Sequence, residues 1–471
     1  MKKLRIFPLI LVLVLSFALL SPTALALEAP ELDAQAVILV DLDSGIILYE
    51  KNMMQQRSPA SLTKVMTLLL ALEAVDRGEV SLDDVVTAGI DCQNGMEEDS
   101  SSVYIVAGEQ MTLRDLLYCA AVSSGNDACN VIASYVGGSI QNFVQTMNDK
   151  AAALGCSATR FVDPNGLSSE DMTSAYDLFL ITREAMRFPA FMEICNTVSY
   201  TVPATNANNP RELKNSNALI SAEGIYGPGY VYEYAAGIKT GYTRAAGYCL
   251  ISTAEKDGVR VLGIVMGCDG PYLSDIEERK NFTDSAKLYD WAFDNFSYRE
   301  VLSPEDIVER AQVTLGQGDG TVGLRPQRGI SLLMPNDVPE GQEDVRVQLY
   351  EEELHAPIEA GTALGEAKIY LNGVEMASVR LLAAGSVDLA RGEYLKQRVQ
   401  AFFSNTGVIV VLSIILILAI AYLALVSRYR RLRRKHLKQR RLAEQRRREL
   451  ARQREEAAQT EESKPFEEDL F

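Results

Sequence analysis

Ser58-Pro59-Ala60-Ser61-Leu62-Thr63-Lys64, set just ahead of the apolar run Val65–Leu72, is the stretch on which the reading of this chain turns. Pro59 and Ala60 close a loop, and Val65-Met66-Thr67-Leu68-Leu69-Leu70 has the composition of a buried helix. Ser61 and Lys64 are three apart, so on the first turn of that helix their side chains share a face. Free N–H groups and the helix dipole at this end favour negative charge developing at Ser61. A serine hydroxyl becomes a nucleophile only when a base takes its proton, and a lysine whose pKa is lowered by burial can do so. Histidine is the commoner base, but both histidines, His355 and His436, lie far downstream. Lysine is the expected base.

Alone, S-x-x-K is a common pattern that reads equally well as a helix end with an exposed lysine. Two further motifs follow in order, Ser124-Gly125-Asn126 and Lys239-Thr240-Gly241. The S-x-x-K, S-x-N, K-T-G set is the signature of a serine acyl-transfer site. Three motifs in that order, at domain-sized spacing, set the helix-end reading aside.

Outward from this core, Ala36–Glu50 reads as strand, turn and strand, with Asp43-Ser44-Gly45 at the tip. Met111–Leu117 opens a helix that Thr112 would cap. Ser124-Gly125-Asn126 interrupts the helical pattern before Ala128–Tyr135 resumes it. Ile140–Leu154 is a further amphipathic helix, Asp163-Pro164-Asn165-Gly166 is a turn, and Ser174 caps another helix. Three strands follow around Ala236–Gly241, Tyr248–Ala254 and Arg260–Gly267, and Ser285–Phe293 reads as a closing helix. The order predicts an α/β fold: an antiparallel sheet flanked by helices with an all-helical insert. Short Gly- and Pro-punctuated alternations after Ser297 predict a small all-β domain.

The chain has 471 residues, enough for two or three domains. Lys2, Lys3 and Arg5, the apolar run Ile6–Leu20 and Ala24-Leu25-Ala26 predict a signal peptide over 1–26. A catalytic domain is expected over 27–296, the all-β domain over 297–392 and a connector over 393–406. Gly407–Val426, 20 residues without a charge, is long enough to span a bilayer once. The arginines that follow predict a cytoplasmic tail over 427–471 and an extracytoplasmic bulk. The tail reads as a charged helix to Gln459 and as disordered from Glu461.

The net charge of −17 combines opposite parts. The tail holds 15 of the 46 basic residues, whereas the extracytoplasmic part has 28 basic and 54 acidic residues, net −26. That excess excludes nucleic acid as a partner. The basic tail reads first as a topology signal and second as a contact for anionic lipid. Seven cysteines at irregular spacing make no disulfide framework, and no histidine stands close enough to complete a zinc site. Cys119, Cys129, Cys249 and Cys268 lie in apolar segments and read as small buried residues.

With their flanks, the three motifs resemble the serine-type D-alanyl-D-alanine carboxypeptidases, the low-molecular-mass penicillin-binding proteins. The resemblance extends through Asp163–Leu167, Ser174–Leu178 and Ala246-Gly247-Tyr248. It reaches the β-domain at His355-Ala356-Pro357-Ile358 and Gly361–Gly365, covering about Leu32 to Leu389. It implies the penicillin-binding and β-lactamase-like transpeptidase fold. Ser61 would attack the carbonyl between the terminal D-alanines of a peptidoglycan stem peptide and form an acyl-enzyme, with β-lactams as inhibitors. Lys64 would take the serine proton, and Ser124 with Lys239 would relay it to the leaving D-alanine. Asn126, Lys239, Thr240, Gly241 and Tyr242 would bind the substrate, Lys239 and Thr240 at its carboxylate. The backbone N–H groups of Ser61 and Tyr242 would form the oxyanion hole, on the order of 3 kcal/mol per donor. The resemblance calls for no metal and no organic cofactor.

Three departures stand out against the family pattern. Asn281 takes the place of a carboxylate-clamping arginine, with Arg279 and Lys280 beside it as expected substitutes. Asp171 stands where relatives often carry a histidine. Relatives also commonly end in a helix lying on the membrane, whereas this chain is expected to cross it. The rival readings are a class A-like β-lactamase, for which no E-x-x-L-N segment is found, and a penicillin-binding membrane sensor signalling through its basic tail.

Overall fold

The computed structural model describes residues 27–222, 227–269, 278–339, 341–371 and 373–461, with side chains to 456. The expected signal peptide lies outside the described residues, as does the expected disordered end 461–471 apart from Glu461, which is helical.

The chain divides into two compact units, the first formed by 1–303, 328–346 and 368–378 and the second by 304–327, 347–367 and 379–471. The first opens with β1 (Ala36–Asp41) and β2 (Ile47–Lys51), the expected hairpin. Asp41 fastens its turn by accepting hydrogen bonds from the backbone N–H and hydroxyl of Ser44. α1 (Lys64–Asp76) follows, buried over most of its length because nearly every side chain is apolar. β3 (Val85–Thr87) pairs with β4 (Gln110–Thr112). The helical insert is α2 (Leu113–Ala121), α3 (Asn126–Gly137), α4 (Ile140–Ala153), α5 (Ala175–Ala185) and α6 (Pro189–Cys195). Its caps are the expected ones: Thr112 accepts from the Asp115 N–H and Ser174 from the Asp177 N–H. β5 (Ser199–Val202) and β6 (Arg211–Lys214) form a small ribbon.

β7 (Ala235–Thr243), β8 (Gly247–Lys256) and β9 (Val259–Cys268) complete an antiparallel sheet in the order β2-β1-β9-β8-β7. α7 (Lys280–Asn295) packs on one face, with Leu288, Tyr289 and Ala292 fully buried. The helical insert and α1 fill the other face, around Ile38, Val40, Ile251 and Ile264. β7 is an edge strand, the kind of position at which an extended chain can add to a sheet. α7 begins earlier than the closing helix read from the sequence and buries Asn281 and Phe282 in its first turn. β10 (Phe296–Leu302) pairs with β13 (Ile330–Pro335).

The β-domain holds a sheet in the order β14-β16-β17-β12-β11-β15. Its strands are β11 (Glu309–Thr314), β12 (Thr321–Pro326), β14 (Asp344–Leu349), β15 (Leu354–His355), β16 (Ala363–Leu371) and β17 (Val374–Ala383). The second unit ends in α8 (Arg391–Ser404) and α9 (Thr406–Glu461). The expected connector is thus mostly helical, broken at Asn405. α9 runs unbroken from the apolar run into the charged tail, long and apolar enough in its first part to cross a membrane.

Candidate active site

One boundary differs from the sequence reading. Ser61 lies not in α1 but in a tight 3-10 turn, Ala60–Thr63, that leads into it. Ala60 takes φ +48°. A Cβ on Gly166 would overlap the Ala60 carbonyl oxygen, and its own φ of +84° suits glycine. Glycine at 166 therefore lets the loop 163–168 lie directly against the Ser61 turn. That loop is closed by Asp163, whose carboxylate accepts from the N–H groups of Asn165, Gly166 and Ser168.

Lys64 is fully buried at the centre of the site. Its Nζ lies 2.7 Å from Ser61 Oγ, 2.6 Å from Asn126 Oδ1 and 2.7 Å from the Asn165 carbonyl oxygen. Two of those partners can only accept. A neutral amine has two protons for them and one lone pair, which then faces the Ser61 hydroxyl. The three-partner cage thus fits Lys64 acting as a base. Burial pushes its pKa down, partly opposed by the carboxylates of Asp163, Asp127 and Asp171. Lys239 is lowered as well, to about 7, through burial and then the charge of Lys64.

Ser124 sits at φ +60° in the turn between α2 and α3, a conformation uncommon for a residue with a side chain. It is nearly buried, as is Asn126, which opens α3. Lys239, Thr240, Gly241 and Tyr242 lie on β7. A Cβ on Gly241 would meet Pro59 O at 3.1 Å and Ser61 N at 3.2 Å, so glycine lets the edge strand lie directly against the nucleophile turn. Lys239 Nζ donates to the Thr240 carbonyl at 3.0 Å, and the Thr240 hydroxyl shares a 2.6 Å hydrogen bond with that of Ser216. The eight residues singled out in the sequence thus come from three places: the turn into α1, the α2–α3 turn, and β7.

The two expected stand-ins for the missing arginine part company. Lys280 is committed to Asp33 at 2.8 Å. The Arg279 guanidinium lies over the Tyr248 ring at 4.6 Å, and Tyr248 stacks on Tyr242 with ring centres 4.3 Å apart. Asn281 is buried and donates to the Cys249 carbonyl at 3.4 Å. Asp171 is also buried, with Thr63 Oγ1 3.3 Å and the Val162 N–H 2.7 Å from its oxygens. Burial and then the neighbouring Asp163 charge raise its pKa to about 8. All seven cysteines are buried and unpaired, including Cys119, Cys129, Cys249 and Cys268, which the sequence marked as buried.

Sequence reading missed the parts played by Asn165 and Ser216. Asn165 was visible only as a turn residue, yet its carbonyl holds Lys64 and its side chain donates to Asn130 Oδ1 at 3.1 Å. Nothing in the pattern around Ser216 marks it.

Comparison with known proteins bears on the same elements. A family profile described as D-alanyl-D-alanine carboxypeptidase matches residues 23–270, and one described as penicillin-binding protein 5, C-terminal domain, matches 296–389. The chain is 31% identical over 385 residues to D-alanyl-D-alanine carboxypeptidase DacF of Bacillus subtilis, covering 80% of this chain and 92% of that one. It is 30% identical to DacC of Escherichia coli over 388 residues, 79% and 89% of the two chains. Among solved structures, penicillin-binding protein 5 of Haemophilus influenzae superposes with a TM-score of 0.59 at 28% identity, over 77% of this chain and all of that one. Penicillin-binding protein 6B of Escherichia coli gives 0.58 at 27%, over 76% and 98%. On sequence, domain order and fold together, this chain belongs to the serine D-alanyl-D-alanine carboxypeptidases, the penicillin-binding peptidases of the bacterial cell wall.

Proposed function

We propose that Ser61 is the nucleophile, Lys64 its base, and Ser124 with Lys239 the path that returns the proton. The Ser61 Oγ proton passes to Lys64 Nζ as Oγ bonds to the carbonyl carbon between the two terminal D-alanines. The C–N bond then breaks, and a proton delivered through Ser124 leaves with the D-alanine amine. Water hydrolyses the Ser61 ester and frees the shortened stem. Asn126 would hold the substrate amide, and the stem would lie along the open edge of β7 past Gly241. Lys239 and Thr240 would receive the terminal carboxylate. The N–H groups of Ser61 and Tyr242 would face the oxyanion.

The observation that carries this reading is the 2.7 Å contact of Lys64 Nζ with Ser61 Oγ inside a cage of two obligate acceptors. A β-lactam offers the same carboxylate and a strained amide. Intact-mass analysis after benzylpenicillin should show one adduct in the wild type and none in Ser61→Ala. An adduct surviving in that variant would refute the assignment. D-alanine released from a pentapeptide muropeptide, followed by mass spectrometry, tests the reaction itself.

The domain bounds 27–296, 297–392 and 393–406, the single span 407–426 and the cytoplasmic tail 427–471 are part of the same proposal. Support comes from the apolar first part of α9 and the arginine-rich segment after it. The enzyme would then work outside the cell membrane, anchored by its C-terminus.

A further inference from the structure

We propose that Tyr104 is a preset contact for the part of the stem peptide on the amino side of the D-alanyl pair, and so a specificity-determining residue. The inference rests on the peptidase reading above and extends it to substrate length.

Tyr104 lies in a segment that the Ser124–Asn126 turn holds fast. The Asn126 N–H donates to the Ser101 carbonyl at 2.9 Å. The next residue, Asp127, is buried and gathers the Ser102 hydroxyl at 2.6 Å, the Val103 N–H at 3.1 Å and the Ile105 N–H at 2.9 Å. From the other side Arg211 donates to the Val103 carbonyl at 2.9 Å and Asn208 to that of Tyr104 at 3.3 Å. Val103 and Ile105 are buried. Between these two anchors Tyr104 takes φ +61° and is 77% exposed.

A bulky residue held at positive φ is strained, and such strain persists only where the surroundings over-determine it. Here they do, through hydrogen bonds on both sides. The outcome is an exposed aromatic ring on a backbone tied down on both sides, next to Val103, whose Cγ1 would lie 3.3 Å from a Cβ added at Gly125. An exposed ring on a fixed backbone contributes contact area at little cost in ordering, which suits recognition. The carboxylate end of the substrate belongs to Lys239 and Thr240 and the scissile amide to Asn126. The rest of the stem would then run on past the Ser124–Asn126 turn, to which the residues on either side of Tyr104 are tied through Asn126 and Asp127. Short acyl donors that end near the scissile amide would not reach it.

The test uses the full chain in detergent, with a disaccharide pentapeptide muropeptide, the diacetylated tripeptide Lys-D-Ala-D-Ala, and benzylpenicillin. Tyr104→Ala should raise KM for the muropeptide about five- to tenfold, about the energy of one lost aromatic contact, with kcat unchanged. Tripeptide turnover and penicillin acylation should stay within about twofold, and Tyr104→Phe should restore muropeptide KM. Equal losses on all three reagents would make Tyr104 structural and overturn the proposal, as would an unchanged muropeptide KM. Failure of the wild type to release D-alanine from either peptide would instead overturn the peptidase reading, and this inference with it.

Discussion

Lys64 donates to the backbone carbonyl of Asn165, 101 residues further along the chain, at 2.7 Å. The position of the Lys64 amine is therefore set by the loop 163–168 as much as by its own helix. Asn126 Oδ1 is the second obligate acceptor on the same Nζ, so a neutral amine there would have its lone pair left for Ser61.

Lys64→Arg should fold normally and lose penicillin acylation by at least about a hundredfold. Arginine keeps the charge but cannot release a proton, and about a hundredfold is the low end for a general base. Acylation at a near wild-type rate would make Lys64 structural and move the base elsewhere.

Gly166→Ala tests the loop. The added methyl would overlap the Ala60 carbonyl and adopt φ +84°, so the loop must withdraw from the Ser61 turn. We expect a stability loss of about 1–3 kcal/mol and slower acylation than that loss explains. Thermal unfolding and stopped-flow acylation on the same sample separate the two. A destabilised variant that acylates normally would uncouple the loop from Lys64.

Lys239 should set a limb of the pH profile. Its pKa of about 7 means the ammonium that receives the carboxylate is lost as pH rises through that value. The alkaline limb of kcat/KM, which reports the free enzyme, should fall near pH 7 and move out of range in Lys239→Arg. An unmoved limb would assign it to another group.

Asp171 makes a prediction about stability. A buried carboxyl whose pKa is raised from 3.8 to about 8 is neutral when folded and ionised when unfolded between those values. The unfolded state binds fewer protons there, so stability is full below about pH 4 and declines as pH rises toward 8. Asp171→Asn cannot ionise and should lack this decline. Melting temperatures at pH 5 and pH 9 should differ less in the variant than in the wild type; parallel profiles would refute it.

A chain ending at Arg398 lacks the apolar part of α9 and should be recovered as a soluble secreted protein. Protease added to intact cells should spare only the tail of the full chain. Tight membrane binding by the shortened chain would show that a segment before Arg398 anchors it.

The sequence by itself determined the family and the fold class. S-x-x-K, S-x-N and K-T-G are local motifs legible from residue type and order, and hydrophobic periodicity with Thr112 and Ser174 as caps marked most elements. Strand patterns were enough to place the first hairpin and β7–β9 in one sheet. Tertiary structure decided what makes the motifs work together. Nothing local shows that Asn165 accepts from Lys64, that Ser216 meets Thr240, or that Lys280 turns away to Asp33 while Arg279 lies over Tyr248. It also places Ser61 in the turn before the helix, with Gly166 lying close against Ala60. Such contacts join residues tens to hundreds of positions apart. Burial, which lowers both lysines and raises Asp171, exists only once those segments have packed.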